Sequence, residues 1–220
     1  MTDPDVPLTH VHVEPDDPTD GPAPAVFVMH GRGADEEDLL PVADELPGSR
    51  HVISFRAPDR LQGGYTWYEL DLSAGGLQQS QPDPEDFRRS LDLLAESVDA
   101  AVEAYDLDPD RLGLLGFSQG GIVTLSLLLE SPGRFAWGAA LHSYLAQSHA
   151  DLDPAGIEGK PVFVGGGRAD RIIPVTRSEA AAERFRHLGA DVTLSVHDSP
   201  HGVAPPELED LVAFVDEHDL

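Results

Sequence analysis

The sequence predicts an α/β fold in which a mostly parallel central sheet is covered by helices on both faces. Apolar segments of strand length alternate with helical patterns along the chain, and this alternation is typical of parallel strands joined by crossover helices. The short apolar run at 112–117 lacks polar alternation, as expected of a central strand buried on both faces. Because 220 residues with 40% hydrophobic content can bury one sizeable core, residues 1–220 are expected to form a single domain.

The individual elements follow from hydrophobic periodicity and from turn residues. Strands are predicted at residues 8–14, 25–29, 51–55, 111–117, 135–141, 161–164 and 192–196. Helices are predicted at 38–46, 84–105, 119–130, 178–188 and 206–218. Residues 1–24 are expected to hold an N-terminal strand and a Pro/Asp/Gly loop at 16–24, and residues 108–110 a turn. The segment 56–84 has no regular pattern, and loops of this length inside a compact domain are usually functional.

The composition excludes several classes of protein. No stretch reaches the apolar length of a membrane span, and residues 1–5 lack the features of a signal peptide, so we expect a cytoplasmic protein with no membrane partner. The absence of cysteine excludes disulfides, thiol catalysis and thiolate metal sites. His10 and His12 share one face of the first strand, but a metal pair would need a third ligand, so we interpret them as surface histidines.

The charge is strongly negative. There are 40 acidic residues against 14 basic ones, a formal net charge of −26, and Lys160 is the single lysine. This balance is similar to that of cytoplasmic proteins from extreme halophiles, in which molar salt screens the repulsion between surface carboxylates over ~3 Å. Nucleic acids are poor partners because the sequence has no basic patch to meet their phosphates.

Residues 116–120 read Gly-Phe-Ser-Gln-Gly and lie between the apolar strand and a helix with almost no polar face. A sharp strand-to-helix turn is the setting of a nucleophile elbow, which holds its serine in a strained conformation above the sheet edge. Gly116 and Gly120 fit this geometry because a Cβ there would strike the adjoining strand or helix. We therefore predict that Ser118 is a catalytic nucleophile; the alternative is a structural turn.

A serine nucleophile needs a base that takes its proton and a carboxylate that orients the base. Asp170 and His201 follow the last two predicted strands, and they complete the order Ser, Asp, His of the α/β-hydrolase fold. His197 and Asp198 are nearby alternatives, but His197 continues the strand and is expected to point into or off the sheet. The predicted triad is Ser118, Asp170 and His201.

Two further segments are expected to border this site. The loop His-Gly-Arg-Gly at 30–33 follows an apolar strand, and its glycines free main-chain N–H groups at the mouth of the sheet. Such groups suit an oxyanion hole, in which donors point to where negative charge develops; the alternative is an ordinary Gly-rich turn. Tyr65, Trp67 and Tyr68 are expected either to wall a substrate pocket or to pack their loop onto the sheet.

These residues together resemble the carboxylesterase/phospholipase family of α/β-hydrolases, which includes acyl-protein thioesterases. The resemblance covers nearly the whole chain from Ala25 onward. It rests on the loop at 30–33, the Trp-Tyr-acid element at 67–69, the elbow at 116–121, the pair Tyr144-Leu145, and Asp170 with Ile173-Pro174 after it. The resemblance implies that Ser118, Asp170 and His201 form the triad. It also implies that the main-chain N–H groups of Arg32 and Gln119 are the oxyanion donors.

The chain departs from the family pattern at two places. The family commonly has glycine before its catalytic histidine, whereas Pro200 precedes His201 and Gly202 follows it. His142-Ser143 replaces a pair of small residues near the site. His142 is therefore expected either to contact substrate or, as we favour, to satisfy a hydrogen bond in the core.

The expected activity is that of a serine carboxylesterase or thioesterase without cofactor or metal. Its substrates would be soluble esters or thioesters with short-to-medium acyl chains, because residues 143–160 leave no room for a large lid and an acidic surface repels anionic lipid. One alternative is a dienelactone-type hydrolase of cyclic esters, although relatives of that kind usually carry a cysteine nucleophile. Another is a non-catalytic binding protein on a hydrolase scaffold.

Overall fold

The computed structural model describes residues 5–15 and 21–218, and a seven-stranded sheet forms its centre. The strands are β1 (His10–Val13), β2 (Ala23–Met29), β3 (His51–Phe55), β4 (Asp59–Leu61), β5 (Gly64–Thr66), β6 (Leu70–Asp71), β7 (Gln81–Pro82), β8 (Leu107–Phe117), β9 (Trp137–Leu141), β10 (Pro161–Gly167) and β11 (Asp191–His197). The helices are α1 (Leu40–Ala43), α2 (Pro84–Ala104), α3 (Gln119–Glu130), α4 (Val175–His187) and α5 (Pro205–His218). The predicted alternation of strands and helices is confirmed.

The main sheet has the strand order β1-β3-β2-β8-β9-β10-β11. β1 pairs antiparallel with β3, whereas the other pairings in this sheet are parallel. The carboxyl ends of β2, β8, β10 and β11 therefore open on the same edge. The turns directly after these four strands carry the predicted triad and the expected oxyanion donors.

Helices cover both faces of the sheet because successive side chains of each strand point to opposite sides. Val26 and Val28 of β2 belong to the hydrophobic cluster that includes residues of α1 and α5. Phe27 and Met29 belong to the opposite cluster, which includes residues of α2, α3 and α4. Residues 119–129 of α3 are all buried, which agrees with the lack of a polar face in its sequence.

Some predicted bounds were wrong. β10 continues past 164 because the glycines at 165–167 pair in parallel with 195–197 of β11. The predicted turn at 108–110 lies inside β8, at the place where its register with β2 shifts. The predicted helix at 38–46 is shorter in the structure, where α1 has four residues and turns precede and follow it.

The segment 56–84 is more regular than its sequence indicates. β4 and β5 form an antiparallel hairpin whose turn residues Gln62 and Gly63 have φ of 31° and 97°, values typical of tight hairpin turns. A second ribbon joins β6 to β7. Main-chain hydrogen bonds join Tyr65 of the hairpin to Gly33 and Ala34, so the segment braces the loop after β2.

Residues 1–4, 16–20 and 219–220 lie outside the described residues, and with them lie most of residues 1–5 and the first part of the predicted loop at 16–24. Among the residues that are described, no helix has the length and apolar character needed to cross a membrane. Between β9 and β10 the chain forms loops and one 3-10 turn at Gln147–His149, so the fold has no large lid there.

Candidate active site

Ser118 lies at the sharp turn between β8 and α3. Its φ of 55° and ψ of −117° form a conformation that residues other than glycine rarely adopt, as the elbow motif predicts. The turn is possible because two glycines let backbones approach closely. A Cβ at Gly116 would lie 2.2 Å from the oxygen of Gly120, and a Cβ at Gly120 would lie 1.9 Å from the oxygen of Met29.

A chain of hydrogen bonds runs from Ser118 into the protein. The Oγ of Ser118 lies 3.0 Å from Nε2 of His201, and Nδ1 of His201 lies 2.7 Å from Oδ2 of Asp170. The other carboxylate oxygen, Oδ1, accepts the main-chain N–H groups of Ile172 and Ile173 at 2.8 and 2.9 Å. The structure thus brings together the three side chains of the predicted triad, which the sequence separates by up to 83 residues.

The surroundings of Asp170 favour its ionised form. Burial alone would raise the pKa of Asp170, but the hydrogen bonds from two histidines and two main-chain N–H groups hold that pKa below its ordinary value. An ionised Asp170 accepts the Nδ1–H of His201. The Nε2 of His201 is then left as an acceptor for the hydroxyl proton of Ser118.

The loop at 30–33 is held by its histidine. His30 donates from Nδ1 to the oxygen of Gly31 at 2.7 Å and accepts the main-chain N–H of Ala57 at Nε2, 3.0 Å away. This pattern requires a neutral ring, and burial lowers the pKa of His30 accordingly. Among the described residues outside helices and strands, no main-chain hydrogen bond uses the N–H of Arg32. Gln119 is the first residue of α3, where a main-chain N–H has no partner inside the helix. Both groups are therefore able to donate to a ligand.

The side chain of Gln119 anchors the aromatic segment beside the elbow. Its Oε1 accepts the hydroxyl of Thr66 at 3.0 Å and the main-chain N–H of Trp67 at 3.2 Å. Its Nε2 donates to the oxygen of Tyr68 at 2.9 Å. Trp67 in turn donates its indole N–H to the oxygen of His30 at 2.9 Å. These bonds tie the segment to the loop that carries Arg32 and to the first turn of α3, which carries Gln119.

The aromatic side chains themselves do not form an open wall. Trp67 and Tyr68 are fully buried, so the structure places them in the core rather than at the surface of a pocket. Tyr65 is half-buried, and the guanidinium of Arg56 lies 4.6 Å from its ring centre. Trp67 and Tyr68 therefore pack their loop onto the sheet, and the alternative that they wall a substrate pocket is wrong for these two residues.

His142 follows β9 and is fully buried beside the triad. Its Nδ1 lies 2.8 Å from Oδ2 of Asp170, the same oxygen that bonds His201. Its Nε2 lies 3.1 Å from Oε2 of Glu207. Burial alone would lower the pKa of His142, but the bonds and charges of Glu207 and Asp170 raise it above its ordinary value. His142 satisfies hydrogen bonds in the core, which is the role favoured from the sequence.

Glu207 is the residue of this cluster that sequence reasoning missed. It stands in the first turn of α5 and is fully buried. Its burial could have been predicted from the sequence. Glu207 has the helical spacing that places it on the same face as Leu211 and Phe214, and these two are core residues. A carboxylate on an apolar face requires a partner, but the sequence alone does not indicate which one.

Neighbouring polar residues have other partners. His197 forms a hydrogen bond of 2.9 Å with Asp210. Asp198 lies 3.1 Å from Arg168, and the side chain of Asp198 is 86% exposed.

The histidines of β1 also have partners. His10 forms a hydrogen bond with the hydroxyl of Tyr105, and His12 forms one of 2.7 Å with His51 of β3. These contacts account for the two histidines of β1, which are partly buried rather than fully at the surface.

The described residues that could hold a metal ion as a group of three are His142, Asp170 and His201, whose ligand atoms lie within 4.8 Å of one another. The hydrogen bonds already described account for this proximity. Beside His201, an open cleft of about 710 Å³ is bordered by the loops at 168–172 and 200–201. The cleft is thus lined by His201, the residue whose Nε2 lies 3.0 Å from Oγ of Ser118.

The site has a serine on a strand-to-helix turn that is hydrogen-bonded to a histidine, and this histidine is hydrogen-bonded to a carboxylate. Such an arrangement at the carboxyl edge of a parallel sheet defines the class of α/β hydrolases. The model of the phospholipase/carboxylesterase family matches residues 10–219, and the chain belongs to this family. This finding confirms the resemblance read from the sequence motifs.

Known proteins agree with this assignment. The chain is 30% identical over 208 residues to acyl-protein thioesterase 1 of Kluyveromyces lactis, which covers 86% of this chain and 90% of the relative. It is 27% identical over 188 residues to acyl-protein thioesterase 1 of Gibberella zeae, covering 80% and 74% of the two chains. The structure of the Bacillus cereus carboxylesterase superposes with a TM-score of 0.83 at 25% identity, covering 96% of this chain and 94% of the other. The protein is a hydrolase of the phospholipase/carboxylesterase family, and it is similar to acyl-protein thioesterases.

Proposed function

We infer that the protein is a serine hydrolase that cleaves soluble carboxylic esters or thioesters with short-to-medium acyl chains. The observation that carries this proposal is the hydrogen bond of 3.0 Å between Oγ of Ser118 and Nε2 of His201. Ser118 itself lies at the sharp turn after β8 and has a positive φ. Both contacts of His201 support a role as the base, since Asp170 fixes the tautomer that leaves Nε2 free to accept the hydroxyl proton.

In the proposed reaction, His201 takes the proton of Ser118 while Oγ forms a bond to the substrate carbonyl carbon. The main-chain N–H groups of Arg32 and Gln119 donate to the oxyanion that develops. The bond from carbon to the alcohol oxygen or thiol sulfur then breaks, and His201 returns its proton to that leaving group. Water then attacks the acyl carbon while His201 takes its proton. The bond from that carbon to Oγ breaks, and His201 returns the proton to Oγ as the acid leaves.

Three features support a small, soluble substrate. An open cleft lies beside His201 and Asp170 of the proposed triad. The segment between β9 and β10 is short and forms no large lid. With a net charge of −26, the protein would be repelled by anionic lipid surfaces, which disfavours work on aggregated substrate. The names of relatives in the family include both thioesterases and carboxylesterases, which is consistent with either leaving group.

A covalent probe tests the nucleophile directly. A serine-reactive phosphonate should label one site, identified as Ser118 by peptide mass spectrometry, and label neither Ser118→Ala nor His201→Ala. Both variants should lose turnover to a similar extent, since members of a triad act as a unit and their losses do not add. Ser131→Ala, which changes an exposed serine at the end of α3, is the matched control. Ordinary activity in Ser118→Ala would overturn the mechanism, and a protein that takes no label and turns over no ester would be a binding protein.

Acyl-chain length tests the substrate class. Hydrolysis rates for p-nitrophenyl esters and matching thioesters of graded length should be measured in molar KCl. The rates should peak among monomeric short-to-medium substrates and fall for long chains, since the site lacks a lid to shelter a long chain. A jump in activity when a long-chain ester passes its solubility limit would identify a lipase and refute this proposal.

A further inference from the structure

His142 is a buried histidine that the reaction above does not use. It lies between two carboxylates, 2.8 Å from Asp170 and 3.1 Å from Glu207, with all three side chains 0–1% exposed. Its φ of 48° is again a value that residues other than glycine rarely adopt. Backbone strain of this kind persists only where the surrounding structure holds it. His142 is therefore fixed in a position that its own backbone disfavours.

The glycines at the end of β10 make room for this arrangement. A Cβ at Gly165 would lie 2.0 Å from Oε1 of Glu207, and a Cβ at Gly167 would lie 3.0 Å from Cε1 of His142. Among the described residues, Oε1 of Glu207 has no hydrogen-bond partner, so the described contact that holds this carboxylate is His142. Three elements thus meet at His142: the end of β9, the end of β10 and the first turn of α5.

The contacts of His142 favour the positively charged form of its ring. Each ring nitrogen of His142 faces a carboxylate oxygen, and a neutral imidazole has only one N–H to donate. A protonated ring donates to both. The helix dipole at the first turn of α5 also favours negative charge on Glu207. The same contacts with Glu207 and Asp170 raise the pKa of His142 above its ordinary value despite its burial, which favours the protonated ring.

We propose that His142 and Glu207 are positioning residues of the active site: Glu207 holds His142 as a cation, and His142 holds Asp170 in place and offsets part of its charge. Asp170 then presents to His201 an oxygen that already accepts one bond from a cation. This inference rests on the proposed serine mechanism and adds two residues to it.

A defined effect on His201 follows. The titratable groups that the structure brings against His142 are Asp170, Glu207 and His201, whose ring centre lies 5.5 Å from that of His142. A cation at this distance repels positive charge on the ring of His201. When the cation is removed, His201 is protonated more readily. The acidic limb of the pH–rate profile should then move to higher pH, by about one pH unit for charges this close in a partly solvated site.

The test is the pH profile of kcat/KM for p-nitrophenyl acetate in His142→Asn, Glu207→Gln and the double variant. Asparagine tolerates positive φ and can still donate to Asp170, so His142→Asn removes the charge while the bond is kept. Glutamine lets His142 lose its second proton. Each single variant should shift the midpoint of the acidic limb up by about one unit, and the double variant should shift no further. Asp210→Asn is the matched control. Asp210 also belongs to α5 and its carboxylate also bonds a histidine, but this histidine is His197, which is not part of the site.

Phosphonate titration of active sites restricts the comparison to folded, competent enzyme. An acidic limb that stays in place in both single variants, whatever happens to kcat, would overturn the proposal and leave a purely structural role. A shift to lower pH would overturn it as well. If the wild-type enzyme takes no phosphonate on Ser118, the serine mechanism itself fails. If Ser118 is labelled and the limb does not move, only the role of His142 and Glu207 fails.

Discussion

Arg32 is proposed to act through its main-chain N–H rather than through its side chain. The guanidinium is partly exposed and lies 3.6 Å from Glu69, whose side chain is 63% exposed. Ion pairs of this kind contribute about 0–1 kcal/mol. The side chain is therefore dispensable in the proposed mechanism, whereas the N–H is not.

Two substitutions at this position separate the two groups. Arg32→Ala should keep most of the activity, because alanine retains the N–H. Arg32→Pro should lose about 10²- to 10³-fold in kcat, the usual cost of removing one oxyanion donor. Steady-state kinetics with an activated ester measures both, and circular dichroism checks that both variants fold. A larger loss in the alanine variant than in the proline variant would assign the role to the guanidinium.

The backbone conformation also matters at Ser118 and His142, which are the two described polar residues of this site with a positive φ. Conformations of this kind cost about 1–3 kcal/mol each. The cost is offset by α3, which is buried along nearly its whole length, and by the two buried carboxylates that bond His142. The active site is therefore held in place by packing that lies behind it.

The elbow shows how one element depends on its neighbours. α3 begins directly after Ser118, and it approaches β2 so closely that only glycine fits at 120. A Cβ there would lie 1.9 Å from the oxygen of Met29 and 2.8 Å from that of His30. The second contact links the elbow to the loop that carries Arg32. The close approach at Gly120 thus contributes to the spacing between the nucleophile and the proposed oxyanion donors.

Gly120→Ala should accordingly weaken both stability and catalysis. We expect a loss of ~2–3 kcal/mol in the free energy of unfolding, since the new methyl group overpacks a rigid backbone contact, together with a clear fall in kcat/KM. Thermal melting and ester hydrolysis are the measurements. Gly133→Ala is the matched control, because a Cβ at Gly133 meets nothing within 4 Å. Equal stability and activity of the two variants would contradict the close contact between α3 and β2.

The charge of the whole molecule leads to a separate expectation. With 40 acidic and 14 basic residues, at least 26 carboxylates are without a basic side chain of their own. Their mutual repulsion disfavours the folded chain wherever salt does not screen it. At molar ionic strength the screening length falls to ~3 Å, and the repulsion is largely removed.

The melting temperature should therefore rise steeply between dilute buffer and 2 M KCl. Differential scanning calorimetry over a KCl series measures the effect, and sucrose of matched osmolality is the control for solute exclusion without screening. A melting temperature that stays flat across the series would refute the halophilic interpretation. It would leave the hydrolase assignment untouched, because that assignment depends on the fold and the family.

The order of strands and helices could be predicted from the sequence because each signal is local. Apolar runs mark buried strands, and the pattern around Ser118 marks a strand-to-helix turn, since both reflect requirements of neighbouring residues. The bounds of β3 and the buried character of α3 follow in this way. Asp170 and His201 could be chosen because they follow strands whose carboxyl ends share one edge.

Contacts between distant segments required the tertiary structure. The glycines at the end of β10 read as a loop, but their pairing with β11 makes them strand. Trp67 and Tyr68 read equally well as pocket or core, and only the packing of their loop buries them. His142 and Glu207 are 65 positions apart, so no local pattern joins them. The sequence determined the class of fold and the groups able to do chemistry, because local periodicity and turn chemistry encode them. The structure decided which buried charges meet, because that depends on where separate elements pack.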